Sequence, residues 1–143
     1  MKSFRYSMQS ILDYRRDLEE EEKLKFAQAQ KEYLKQKEIL EGVERKLDDA
    51  FSARIKKKYR IHELKNLSEY IHLLKERKDM QKKRVEESER NLEIKRQQLI
   101  SAQKDRKIME KHKEKAYEQY NTELNQEEQK IIDELALYSY YRR

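Results

Sequence analysis

Cysteine, proline and tryptophan are absent from this sequence, and glycine occurs once, at position 42. Without cysteine there is neither a disulfide framework nor a thiolate metal site, and nothing points to export into an oxidising compartment. Without proline, and with one glycine, the chain lacks the turn formers that a compact domain of many elements needs. A glycine-rich phosphate loop is likewise excluded. Long hydrophobic runs are missing too. The opening MKSFRYSMQSILDYRR has no uninterrupted apolar stretch of signal-peptide length, and no later segment approaches the length that spans a bilayer. The expectation is a soluble, cytoplasmic protein with no direct membrane insertion.

What is present is charge: 45% of the 143 residues are Asp, Glu, Lys or Arg, against 36% hydrophobic. Disordered chains share that charge but are usually rich in Pro, Gly and Ser and poor in spaced apolar residues, which does not describe this sequence. The apolar residues recur with a period of seven. Phe26, Tyr33, Leu40 and Leu47 occupy one heptad position, and Ala29, Val43 and Ala50 recur three residues later, with Gln36 the polar member of that series. This is a coiled-coil seam. It fades at Arg54 and Lys57, resumes with Ile61, Leu64, Leu67, Ile71 and Leu74, and continues through Val85, Leu92, Leu99, Ala102 and Met109. The stripe then shifts to Tyr117, Leu124, Ile131 and Tyr138, a change that alters supercoiling without ending a helix. Gly42 lies inside the strongest heptads and reads as a place for close helix contact.

An unbroken helix of this length would run on the order of 200 Å at ~1.5 Å per residue and would suit only a strand of a dimeric rod. A hairpin buries the same stripe within one molecule. The seam failure at Arg54 and Lys57 marks one break, and Asn66 followed by Glu69 reads as a capping box that opens a new helix. The expected architecture is all-α: one elongated antiparallel two-helix coiled-coil hairpin spanning 1–143. Helix one covers about 4–58, the turn about 59–65 and helix two about 66–139. A polar patch in continuous helix is the alternative.

Residues 54–84 carry 12 Lys or Arg against 4 Asp or Glu, a net +8, while the rest of the chain holds 23 basic and 25 acidic residues. The positive excess thus belongs to the expected tip, with Arg54, Lys56, Lys57, Lys58 and Arg60 at its centre. Such a tip steers toward nucleic acid, anionic lipid or an acidic protein surface, or is simply solvated. Nucleic acid is disfavoured, because single-strand binders interleave aromatic platforms and only Tyr59 and Tyr70 are available here.

Catalytic chemistry has little to work with. The three histidines, His62, His72 and His112, include no pair at helical metal-site spacing, and His112 in EKHKEK reads as a solvated surface position. The abundant carboxylates lack a concave pocket to shift their pKa values. No enzyme activity, metal or cofactor is expected.

The ends differ from the middle. Phe4, Met8, Ile11, Leu12 and Leu18 line a first helical face, and IIDELALYSYYRR crowds Ile131, Ile132, Leu135, Tyr138, Tyr140 and Tyr141 into thirteen residues. That is more apolar surface than a two-helix seam covers. Either the ends pack on each other or they form a partner site.

The opening FRYSMQSILDYRRDLEEEEKLKFAQAQKEY resembles the start of the FliJ family, components of the bacterial flagellar type III export apparatus. DRKIMEKHKEKAYEQYNTELNQEEQKIIDELA is similar to that family's C-terminal region and NLSEYIHLL to its middle segment. The resemblance implies a hairpin similar to the central stalk of rotary ATPases. It implies binding to the hexameric export ATPase, promotion of ring assembly, contact with the export-gate membrane protein, handling of export chaperones, and a place at the inner membrane. It also assigns gate binding to Tyr70 and Leu74, while Arg77 and Gln81 stand where the family often has other residues. Exposed apolarity, rather than the resemblance, assigns ATPase binding to Met8, Ile11, Leu12, Leu135 and Tyr138. Two rival readings are a homodimeric coiled-coil scaffold or tether, and a basic coiled coil that binds nucleic acid.

Overall fold

The computed structural model describes residues 3–56 and 58–142. Two helices, α1 (Gln9–Lys56) and α2 (Ile61–Tyr141), pack against each other as an all-α hairpin, and among the described residues there is no strand. Both helices are built from Leu, Glu, Lys, Gln, Arg and Ala, the residues with the best intrinsic helix propensity. Chain contacts cluster into two units, Glu21–Leu99 and Met1–Glu20 with Ile100–Arg143.

In Glu21–Leu99 the expected seam is formed. Ala29, Leu47 and Ala50 are buried, and Phe26, Tyr33, Gln36, Leu40 and Val43 are half-buried. From α2, Ile71, Leu74, Gln81 and Leu92 are buried against this face. Leu47, Ala50, Ile71 and Leu74 form one apolar cluster, with Phe51 and Leu67 packed on it. Full burial of a leucine such as Leu74 contributes roughly 1.5–3 kcal/mol. The Gln81 amide donates from Nε2 to the Gln36 carbonyl oxygen at 2.9 Å and to Gln36 Oε1 at 2.8 Å, a polar layer within the seam. The Lys75 ammonium and the Arg96 guanidinium lie over the Phe26-to-Phe51 stretch, 5.4 Å from the Phe51 ring and 5.8 Å from the Phe26 ring respectively. Gly42 does not serve a close contact: a Cβ placed there meets no atom within 4 Å.

The turn is tighter than the expected 59–65, because α2 begins at Ile61. Two side chains make it possible without glycine or proline. The Tyr59 hydroxyl donates to the Ala53 carbonyl at 3.1 Å, one of the four oxygens that the end of α1 leaves unpaired. The Arg60 N–H donates to Glu63 Oε2 at 3.1 Å, the reciprocal half of a capping box. The Asn66–Glu69 pair therefore lies inside α2 and starts nothing. Ile61, expected in the seam, is 91% exposed.

In Met1–Glu20 with Ile100–Arg143, a short non-helical segment precedes α1. Phe4 meets Tyr117 edge-on at 5.1 Å between ring centroids and Tyr120 at 5.5 Å. Tyr6 is buried, and its hydroxyl lies 2.6 Å from His112 Nδ1 and 3.5 Å from the Met109 carbonyl. His112 is thus exposed yet hydrogen-bonded, not the purely solvated residue that EKHKEK suggested. Leu12 is the fully buried apolar residue of this unit, at 0% exposure. Beside it the packing is ionic: Arg106 bonds through Nε to buried Glu19 and through Nη1 to Glu110, while Arg15 pairs with Asp105 at 3.3 Å.

Candidate functional site

Along the last turns of α2 the sequence keeps its apolar period but loses its partner. Every residue from 125 to 142 is exposed, including Ile131, Ile132, Leu135, Leu137, Tyr138, Tyr140 and Tyr141. In water this is an unfavourable arrangement of several large apolar side chains, of the kind that marks a partner site. Of the two expectations for the ends, mutual packing holds for Phe4 and Tyr6 on α2 but not for this segment.

Leu135 and Tyr138 accordingly lie on the uncovered face, and Met8 and Ile11 are also exposed, at the first turn of α1. Leu12 differs. Its side chain is spent on internal packing, so its place is the core rather than a docking face. Phe4 was read as one of a helical row. It instead lies ahead of α1 and closes an aromatic cluster with Tyr117 and Tyr120, whose rings stand 6.3 Å apart.

The same unit holds the one ionisable group, among the described residues, with a displaced affinity for its proton. Arg106 is pushed further up by the hydrogen bond it donates to Glu19, against the opposing effect of partial desolvation, with the charges of Glu110 and Glu19 adding to the rise. It is a permanent cation, positioned by two carboxylates, with a structural use and no acid–base one. Among the described residues no group of three or more His, Asp or Glu side chains is arranged to hold a metal ion, and no helix is long and apolar enough to cross a membrane.

In Glu21–Leu99 the two residues expected to touch the gate separate. Tyr70 is exposed, with Leu73 exposed beside it one turn on, whereas Leu74 is 1% exposed and belongs to the apolar cluster. Leu74 therefore cannot reach a partner while the hairpin is packed. Of the two positions that depart from the family pattern, Arg77 is exposed and Gln81 is buried against Gln36. Heptad phase alone carried a signal for this split, because Leu74 and Gln81 continue the series of Ile71, Leu74, Gln81 and Val85, while Leu73 lies off it.

Around the turn, Arg54, Lys56, Lys58 and Arg60 are all exposed, and none of their side chains has an ion pair among the described residues. Lys57, the fifth residue expected at the basic tip, lies outside the described residues. The basic residues thus form no internal network that would account for them.

Compared with known proteins, residues 4–143 match the family model described as the flagellar FliJ protein. No curated protein and no solved structure matches.

Proposed function

The chain belongs to the flagellar FliJ family, and from that premise we propose that it is a non-enzymatic stalk of the flagellar export apparatus that binds the hexameric export ATPase, promotes assembly of its ring and couples it to the export gate. The observation that carries this reading is the uncovered apolar and aromatic face of α2 from residue 125 onward. Leu135 and Tyr138 from that face, with Met8 and Ile11 from α1, are the proposed ATPase contacts. Leu12 supports them from within.

Ring promotion needs no special chemistry. A chain that binds assembled ATPase in preference to free subunits stabilises the assembly by mass action, and hydrolysis that depends on the ring rises with it. Tyr70, exposed beside Leu73, is the proposed gate contact, with the cations of the turn steering the approach. The protein is proposed to act in the cytoplasm at the apparatus on the inner membrane, and to receive export chaperones there. The homodimeric rod has less to recommend it, since α1 and α2 bury their seam against each other within one chain.

The test mixes the purified full chain with the monomeric export ATPase and follows oligomer size and ATP hydrolysis together. Ring formation with faster hydrolysis is expected, and the response should be lost in Leu135→Ser/Tyr138→Ser. Unchanged size and rate at concentrations well above micromolar would overturn the reading.

A further inference from the structure

The residues around the turn pose a question that neither folding nor ATPase binding answers. From 53 to 65 the described residues include Arg54, Lys56, Lys58, Arg60 and Lys65 against one carboxylate, Glu63, whose oxygen is occupied by the Arg60 N–H. Arg54 and Lys56 stand in the last turn of α1, where cations complement the negative end of the helix dipole. Lys58, Arg60 and Lys65 stand before and within the start of α2, where the dipole is positive and cations oppose it. Helix stability thus accounts for two of the five charges and works against the others.

Two isoleucines lie among these cations. Ile55 and Ile61 are 85% and 91% exposed, the most exposed large hydrophobic side chains among the described residues, and they flank the turn on either side. Leu67 packs on the apolar cluster and the Tyr59 hydroxyl is turned back onto Ala53, and Leu64 is 44% exposed, so Ile55 and Ile61 are far more open than the apolar and aromatic groups beside them.

We propose that this turn is a docking surface for an anionic lipid bilayer, with Arg54, Lys56, Lys58, Arg60 and Lys65 among the headgroups and Ile55 and Ile61 set into the boundary of the acyl chains. Cations near a negatively charged leaflet are attracted over about a Debye length, and apolar side chains beside them add a short-range anchor. A membrane surface suits the pair better than nucleic acid does. Phosphate backbones reward the charges but offer nothing to aliphatic side chains, and the turn itself carries a single aromatic ring, the half-buried Tyr59, to stack on bases. A bilayer needs no shaped pocket for two isoleucines. The contact is peripheral: it shares the cations of the turn with the proposed steering toward the gate but uses neither Tyr70 nor the proposed ATPase contacts, so binding to vesicles alone tests it apart from both.

The experiment uses the purified full chain and sedimentation with vesicles of phosphatidylcholine alone or with about 30% phosphatidylserine, at low and high salt. Binding is expected only to the anionic vesicles and should weaken as salt rises. Ile55→Ser/Ile61→Ser keeps every charge and removes no buried contact; it should lower the partition by about tenfold while leaving helicity unchanged. Neutralising Arg54, Lys56 and Arg60 to glutamine should lower it about a hundredfold, at roughly fivefold per charge. Neutralising three exposed lysines elsewhere, Lys104, Lys107 and Lys111, should have little effect. Partition that is indifferent to the isoleucines, or equally reduced by the distant lysines, would mean diffuse attraction to a basic protein and would overturn the proposal. So would tighter binding to duplex or single-stranded DNA than to the anionic vesicles at the same salt.

Discussion

Gly42 and Arg106 illustrate how differently two single residues sit in the same pair of helices. A methyl group added at Gly42 enters open space, and alanine removes a helix penalty of roughly 1 kcal/mol. Gly42→Ala is therefore expected to raise the unfolding free energy by about 0.5–1 kcal/mol, read as a higher urea midpoint with unchanged slope. Arg106 is the reverse case, since Glu19 is buried and the guanidinium is a main counter-charge to it. Arg106→Met should lower the urea midpoint, and the double change Glu19→Leu/Arg106→Met should recover most of the loss, because the charge is then removed rather than stranded. A double change no more stable than the single one would show that the ionic contact itself carries the stability. Leu74 and Tyr70 separate in the same manner. Leu74→Ala is expected to destabilise by about 2–5 kcal/mol through the cavity it leaves, while Tyr70→Ala should shift stability by about 0.5 kcal/mol or less and weaken only the proposed gate contact.

At the scale of the helices, the seam from Phe26 to Ala50 was legible because its residues repeat every third and fourth position and all but Gln36 are apolar. The same heptads extend back through Glu22, Glu19, Arg15 and Leu12, and this was not legible, since the seam there is made of charged residues that resemble a solvated face until their partners on α2 are known. The turn was misplaced for a related reason. Its capping groups are a tyrosine hydroxyl and a glutamate reaching back to an arginine N–H, with no Ser, Thr, Asp or Asn at the N-cap to announce a start. Tyr59→Phe, which removes only that hydroxyl, is expected to cost about 0.5–1.5 kcal/mol in thermal or urea unfolding. Of the candidates picked by apolar density near the ends, Met8, Ile11, Leu135 and Tyr138 are exposed and Leu12 is buried, and Leu74, picked by the family resemblance, is buried too; apolarity alone cannot tell a core residue from a docking one.

For the molecule as a whole, the uncovered face separates folding from function. Residues 125–142 make no buried contribution to the chain's own packing, so removal of residues 125–143 should leave the unfolding midpoint of the remainder nearly unchanged while abolishing the proposed promotion of ATPase ring assembly. Linkage sets the scale of what is lost: a partner present at a hundred times its dissociation constant stabilises the bound form by about 2.7 kcal/mol. A truncated chain that still assembled the ring would place the ATPase contact on Met8 and Ile11 instead.

The pairing of residues 47–50 with residues 71–74 has a kinetic meaning as well. Ala50 and Ile71 are 21 residues apart in the chain, whereas the Tyr6 hydroxyl and His112 are 106 residues apart. Loop-closure entropy favours nucleation at the short separation, with each later contact then drawn together by the helix already formed. The chain should close like a zipper from its turn. Under native conditions the amide protons of that apolar cluster should be the last to exchange, and those around Tyr6 and Phe4, where the zipper ends, among the first.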